Sequence, residues 1–276
     1  MQTLNLIDQS KGSIGYRMID FPDGEPHIVL DDIDRKDVVN VICRIANPND
    51  LFIVMQVGDI LNRQGVLFTL TITYLMSMRM DRVISFNESF SLKVVANMIN
   101  SIHAIGVDIL EPHSTMSLDL IENSRCNSFN ITVISEDVIC FPDKGAAKRY
   151  ERAIIHPSFK KTILYCSKER DISTGKLKGF KIENPEVYHG GSICVVDDLC
   201  DGGGTFAGIA KELRQLAPDA ELNIRVTHMV NPKGISTLSE HYDKVTFSNS
   251  FYDWNKLEHL PDNVTCRELF TNEENN

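Results

Sequence analysis

The chain has 276 residues, is 42% hydrophobic and carries a formal net charge of −10, which allows one large core or two modest ones and, with no basic block, argues against nucleic acid as the main partner. Its longest near-apolar run, Val66 to Met78, is too short to span a bilayer, and the N-terminal MQTLNLIDQSKGSIGY has no signal-peptide core. The seven cysteines (Cys43, Cys126, Cys140, Cys166, Cys194, Cys200 and Cys266) form no CxxC pair and several lie in apolar strands, so they read as reduced, mostly buried thiols of a cytoplasmic protein.

In chain order, Phe21-Pro22-Asp23-Gly24-Glu25 is a strong turn signal and, alone, an ordinary turn. Asp50 to Arg63 has a helical period, and Val66 to Tyr74 reads as a buried strand. That strand runs into Arg79, Asp81 and Arg82, a cluster costly to keep at a strand end without a partner. Ser91 to Ile105 reads as a helix with Val94, Val95, Met98 and Ile102 on one side, and Val107 to Leu110 as a strand. A lone His113 follows, a residue more often structural than a ligand when taken by itself. Met116 to Asn123 is a short helix. The pattern then repeats. A strand at Val138 to Phe141 leads into Pro142-Asp143, a helix from Gly145 and a strand at Thr162 to Cys166. Ser167 to Asp171, SKERD, begins a polar stretch with Gly175, Lys176 and Lys178 that reads as a mobile basic loop. A strand at Ile193 to Asp197, a helix ending at Leu216, and strands at Leu222 to Thr227 and Lys244 to Phe247 complete the series. Such alternation predicts an α/β fold of two closely packed domains, 1–120 and 121–276, each a mainly parallel sheet with helices on both faces. The polar tail from Thr271 to Asn276 reads as frayed.

Ser192 to Leu213, SICVVDDLCDGGGTFAGIAKEL, carries the clearest chemistry. An apolar strand ends on two carboxylates, three glycines and a threonine follow, and an amphipathic helix begins. Glycines let backbone N–H groups close on phosphate oxygens, and the helix offers its positive end. The loop lacks the GKS or GKT ending of a P-loop. Asp197, Asp198 and Asp201 would repel bare phosphate; around a ribose they accept hydroxyl hydrogen bonds, and around Mg²⁺ they supply oxygen ligands.

Asp197-Asp198-Leu199-Cys200-Asp201-Gly202-Gly203-Gly204-Thr205 resembles the ribose-phosphate fingerprint of the type I phosphoribosyltransferase fold, with Gly202 where that family usually has Thr. The Phe21–Glu25 turn, the Tyr74–Arg82 segment, the helix from Lys93 leading to His113, the Pro142-Asp143 strand end, the Ser167–Asp171 segment and Val226-Thr227-His228 occur with it in a fixed order. Together, from residue 16 to residue 270, they resemble the phosphoribosyl pyrophosphate synthetases, or ribose-phosphate diphosphokinases.

That resemblance implies two type I phosphoribosyltransferase-like domains and Mg²⁺-dependent transfer of the β,γ-diphosphate of ATP to the anomeric hydroxyl of a ribose 5-phosphate unit, with release of AMP. Carried over by position, Phe21 would stack on adenine while Asp23 and Glu25 hydrogen-bond it, across a subunit interface of a homo-oligomer. Arg79 would grip the ATP phosphates, with Asp81 in the same site. His113 would be a Mg²⁺–ATP ligand, and Asp143 and Asp197 would complete the metal positions. Lys168 and Arg170 would close over the transferring diphosphate. Asp197 and Asp198 would hold ribose hydroxyls, and Asp201, Gly202, Gly203, Gly204 and Thr205 the 5-phosphate. The segment before the Phe21 turn is shorter than in the family and the family's C-terminal helix is not seen beyond Phe270, so its hexamer cannot be assumed. Gly202 removes a hydroxyl donor to the terminal phosphate, a contact of about 1.5–3 kcal/mol, and opens space for a phosphodiester-linked continuation. Compact phage relatives of the family use ADP-ribose as acceptor, so ribose 5-phosphate and ADP-ribose both remain open. A phosphoribosyltransferase that consumes the diphosphate product, and a silent regulatory subunit, are the rival readings. Cys200 reads as a small filler within the loop.

Overall fold

The computed structural model describes residues 1–127, 134–156, 160–170, 177–257 and 259–269. Contacts divide the chain into two compact units between residues 128 and 129.

The first unit is built on a parallel sheet of five strands in the order β1 (Gln2–Asn5), β4 (Val39–Ile45), β5 (Phe68–Leu75), β6 (Gly106–Leu110) and β7 (Ser124–Asn127). Because β7 pairs with β6, the unit runs past residue 120. Helix α1 (Pro48–Gln64) starts with a capping box: Asn47 accepts from the Asp50 N–H while the Asp50 carboxylate accepts from the Asn47 N–H. Its Leu51, Val54, Val57 and Leu61 recur at helical spacing and are buried. An antiparallel hairpin, β2 (Tyr16–Asp20) and β3 (Pro26–Leu30), is tied to α1 by one side chain: Gln56 donates to the Pro26 carbonyl at 2.8 Å and accepts from the Ile28 N–H at 3.2 Å.

Helix α2 (Ser91–Asn100) is shorter than expected and turns a different face inward. Leu92, Val95, Ala96 and Ile99 are buried, whereas Val94 and Met98 are outward. The sequence is apolar around more than half the helix, and the Leu92-based stripe is the one that meets the core. Helix α3 (Met116–Leu120) is a single turn.

The second unit has seven strands in the order β10 (Leu177–Ile182), β9 (Thr162–Arg170), β8 (Val138–Phe141), β11 (Ile193–Cys200), β12 (Leu222–Met229), β13 (Lys244–Ser248) and β14 (Val264–Arg267); all pairs are parallel except β10 with β9. The chain leaves β8 for β9 on one side and returns to β11 on the other. The order therefore reverses between β8 and β11, where open α/β sheets bind ligands at their carboxyl ends. Alternate residues of these two strands feed two cores: Val138, Cys140, Ile193 and Val195 pack with α6 (Gly204–Leu216) and α7 (Pro232–Ser239), while Ile139, Phe141, Cys194 and Val196 pack with α4 (Lys144–Arg149) and α5 (Glu151–Ile154).

Strand β9 corrects one expectation. Residues 167–170, read as the start of a mobile loop, are strand, because β10 supplies their backbone partners. Strand β8 ends level with Tyr165, so β9 overhangs the carboxyl edge of the sheet by five residues, roughly 16 Å. Residues 171–176 lie outside the described residues.

Candidate active site

In the second unit, β11 carries Asp197 and Asp198 to the sheet's switch point. Asp198 is fully buried and Asp197 half-buried. The residue that makes this tolerable was not anticipated from the sequence: Arg149, at the end of α4, forms ion pairs with both carboxylates. Asp197 also accepts from the Asp198 N–H at 2.9 Å. Burial and the adjacent Asp198 push the Asp197 carboxyl up, and Arg149 opposes them. Two adjacent carboxylates at the end of a buried strand require a cation nearby, and that was the available signal.

After Cys200 the chain turns across α7. The Asp201 carboxylate accepts from Asn231 Nδ2 at 3.0 Å, and Asn231 itself caps α7. Gly203 has φ +79°, and a β-carbon there would stand 2.9 Å from the Thr237 β-carbon, so the position is built for glycine on both counts. Gly203 is the N-cap of α6, and no side chain caps that helix, so its first turn keeps N–H groups without an intrahelical acceptor, the arrangement that receives an anion. Gly202 and Gly204 have nothing within 4 Å of where a β-carbon would lie. Burial raises the Cys200 thiol to about 12, which leaves it an inert filler.

Asp143 follows β8, across the switch point from this loop. It is the N-cap of α4, its Oδ1 accepting from the N–H groups of Gly145 and Ala146 at 2.9 and 3.0 Å. Lys168 is exposed on the overhanging part of β9, and Arg170 ends that strand. His228 lies beneath the loop, beside Leu199 in the ladder, and its Nδ1 bonds the Ser250 hydroxyl at 2.8 Å.

The first unit gathers a second set. Phe21, Asp23 and Glu25 are all exposed at the tip of the β2–β3 hairpin, closed by the Gly24 N–H donating to the Phe21 carbonyl at 2.8 Å. Beyond β5, Arg82 donates to both oxygens of Asp81 at 2.6 and 2.8 Å, and Ser114 Oγ donates to Asp81 at 2.6 Å. These bonds hold the Asp81 carboxyl down at about 2. The His113 N–H donates to Met78 Sδ at 3.3 Å. Asp81 and half-buried His113, from the ends of neighbouring strands, are thus brought together, and Arg79 is exposed beside them in sequence.

Among the described residues no three or more His, Cys, Asp or Glu side chains form a metal cage. Mg²⁺ does not need one, since it binds through one or two carboxylates with waters and substrate phosphates. The residues at hand fit that pattern: Asp143 retains Oδ2 outside its cap, and Asp197 stands at the switch point.

An acidic, glycine-rich loop feeding an uncapped helix at the switch point of a parallel sheet is the architecture of the type I phosphoribosyltransferase fold. No protein-family model matches the sequence. The chain is 25% identical to a ribose-phosphate pyrophosphokinase of Pyrococcus furiosus, over 83% of this chain and 84% of the relative. It is 26% identical to that of Pyrococcus abyssi, over 88% and 87%, and 26% identical to that of Sulfolobus acidocaldarius, over 67% of each. A crystal structure of phosphoribosylpyrophosphate synthetase from Mycobacterium smegmatis superimposes with a TM-score of 0.72 at 18% identity, covering 92% of this chain and 86% of that one. Over most of its length the chain is thus similar to ribose-phosphate pyrophosphokinases, and it shares the fold of a phosphoribosylpyrophosphate synthetase.

Proposed function

We propose that the protein is a Mg²⁺-dependent diphosphokinase that transfers the β,γ-diphosphate of ATP to the anomeric hydroxyl of a ribose 5-phosphate unit and releases AMP. The observation that carries this reading is the Asp197–Thr205 loop, seated at the switch point and opening onto the uncapped start of α6. The bond formed joins the anomeric oxygen to the β-phosphorus; the bond broken lies between that phosphorus and the oxygen AMP keeps.

In this reading the loop N–H groups and Thr205 take the 5-phosphate, while Asp197, Asp198 and Asp201 orient the ribose hydroxyls. Phe21, Asp23 and Glu25 hold adenine, and their exposure at the hairpin tip suits a site completed by a second copy of the chain. Arg79, Asp81 and His113 serve the ATP phosphates. Lys168 and Arg170 close over the diphosphate, exclude water and spread the charge that develops in the transition state. Mg²⁺ would neutralise the phosphate charge, with Asp143 and Asp197 as its ligands in the second unit and His113 as a Mg²⁺–ATP ligand in the first.

The acceptor is either ribose 5-phosphate or ADP-ribose. Nothing lies within 4 Å of where a β-carbon of Gly202 would stand, which supports keeping an acceptor with a phosphodiester-linked continuation beside ribose 5-phosphate. The test is AMP release from ATP and Mg²⁺ with each acceptor separately. Faster turnover on ribose 5-phosphate makes the protein a compact synthetase; faster turnover on ADP-ribose makes it an ADP-ribose diphosphokinase; no AMP release with either overturns the reading.

A further inference from the structure

The sheet of the second unit has a polar face away from the loop. Pairing sets Asn223 beside Lys244, Arg225 beside Thr246, and Thr246 beside Thr265. Alternation puts these on one face, while Leu222, Ile224, Val226, Val245 and Phe247 fill the core on the other. With Glu136 and Arg267 they line a cavity of about 350 Å³.

Two features of that cavity are unexplained by the fold. Asn223 is only 4% exposed, and its Nδ2 donates to Glu136 Oε1 at 2.8 Å and to Glu221 Oε1 at 3.3 Å. Two carboxylate acceptors fix which end of the amide is nitrogen. Its Oδ1 is buried and accepts no hydrogen bond, a state that buried acceptors rarely keep. The second feature is cationic. Lys244 is paired with Glu221 at 2.6 Å, but neither Arg225 nor Arg267 has an ion pair among the described residues; Arg225 feels the charge of Glu136 and acts on the buried Cys194 thiol. Two guanidinium forks beside the Thr246 and Thr265 hydroxyls form a local anion-binding surface in a chain of net charge −10.

We propose that this cavity is a second ligand site, for a small phosphomonoester carrying hydroxyl groups. Its phosphate sits between Arg225 and Arg267, and a ligand hydroxyl donates to Asn223 Oδ1. The acceptor loop leaves β11 level with Met229, and Asn223 lies roughly 20 Å back along β12 from that point. The site is therefore separate from the proposed acceptor position. Its volume falls within the range of small-molecule pockets.

Calorimetric titration of the full chain tests this, with glucose 6-phosphate, glucose and inorganic phosphate as probes. Glucose 6-phosphate is expected to bind more tightly than either fragment. Its affinity should fall at least tenfold in Arg225→Gln and in Arg267→Gln, and stay unchanged in the loop variant Thr205→Val. Arg267 is exposed, so its variant keeps the fold even if Arg225→Gln does not. Absence of binding, binding that survives Arg267→Gln, or binding lost in Thr205→Val overturns the proposal. AMP release does not enter this titration, so its outcome leaves the proposed reaction standing or falling by itself.

Discussion

Gly234, in the first turn of α7, lies against the carbonyl oxygen of Asp201 so closely that a β-carbon there would overlap it, and the Cys200 sulfur is only 3.0 Å from the same point. The helix and the Asp197–Thr205 loop therefore share one contact surface, backbone against backbone. Gly234→Ala must displace one of them. A destabilisation of about 1–3 kcal/mol is expected from such overpacking, read as a lower melting temperature with a raised KM for the acceptor. An unchanged KM would show that the loop does not depend on α7.

Arg149 holds two carboxylates at once, and all three groups are largely withdrawn from water, with side-chain exposures of 16% for Arg149, 14% for Asp197 and 1% for Asp198. Arg149→Met removes their common cation. A loss of about 3–5 kcal/mol is expected, as for other broken buried pairs. Arg149→Lys keeps the charge without the planar fork and should fall between the two. Chemical denaturation of the three proteins gives the order; equal stability of all three would sink the assignment.

Asp81 offers a pH signature. Its folded pKa of about 2 lies below the value near 3.9 of an unfolded Asp. A depressed carboxylate contributes stability that is fully present above the unfolded value and is lost as pH falls through the folded one. Asp81→Asn should therefore be less stable than the parent at pH 7, with the difference narrowing below about pH 4 and closing only once the pH falls below about 2. Thermal melts across that window decide it.

Lys168→Ala separates binding from chemistry. If the β9 arm acts on the transferring diphosphate, turnover should drop by orders of magnitude while ATP affinity stays close to the parent's. Loss of ATP binding with normal turnover at saturation would assign Lys168 to the ground state instead.

Gly202→Thr asks about the acceptor. Nothing lies within 4 Å of the new β-carbon, so the variant should fold, and it adds a hydroxyl donor to the loop proposed to take the terminal phosphate. The ratio of activity on ribose 5-phosphate to that on ADP-ribose should rise. An unchanged ratio would mean that position 202 does not select the acceptor.

The parts legible in the sequence are those whose cause is local. Ile193–Asp197, the glycines and the helix to Leu216 declare strand, loop and helix within one short stretch, and the structure adds only that the strand runs on to Cys200. The strands that escaped notice are mostly edges: β1, β7, β10 and β14 end their sheets and, being short and polar, lack the apolar run that marks a central strand. Strand β4 escaped because Asn40 and Arg44 interrupt its apolar residues, and Asn40 is explained only by the Thr69 and Thr71 hydroxyls that donate to it from β5. Arg149 escaped for the opposite reason. Its neighbours in Ala-Ala-Lys-Arg read as an ordinary helix end, and its partners stand 48 and 49 residues away along the chain, joined to it only by the order of β8 and β11.

The overhanging arm rests on α6. Phe180 of β10 lies where a side chain at Gly208 would have to go, and Gly208 belongs to α6, which follows directly on the Asp197–Thr205 loop. The arm is thus a cantilever bolted to the same beam that carries the loop. A larger residue at position 208 would loosen arm and beam together.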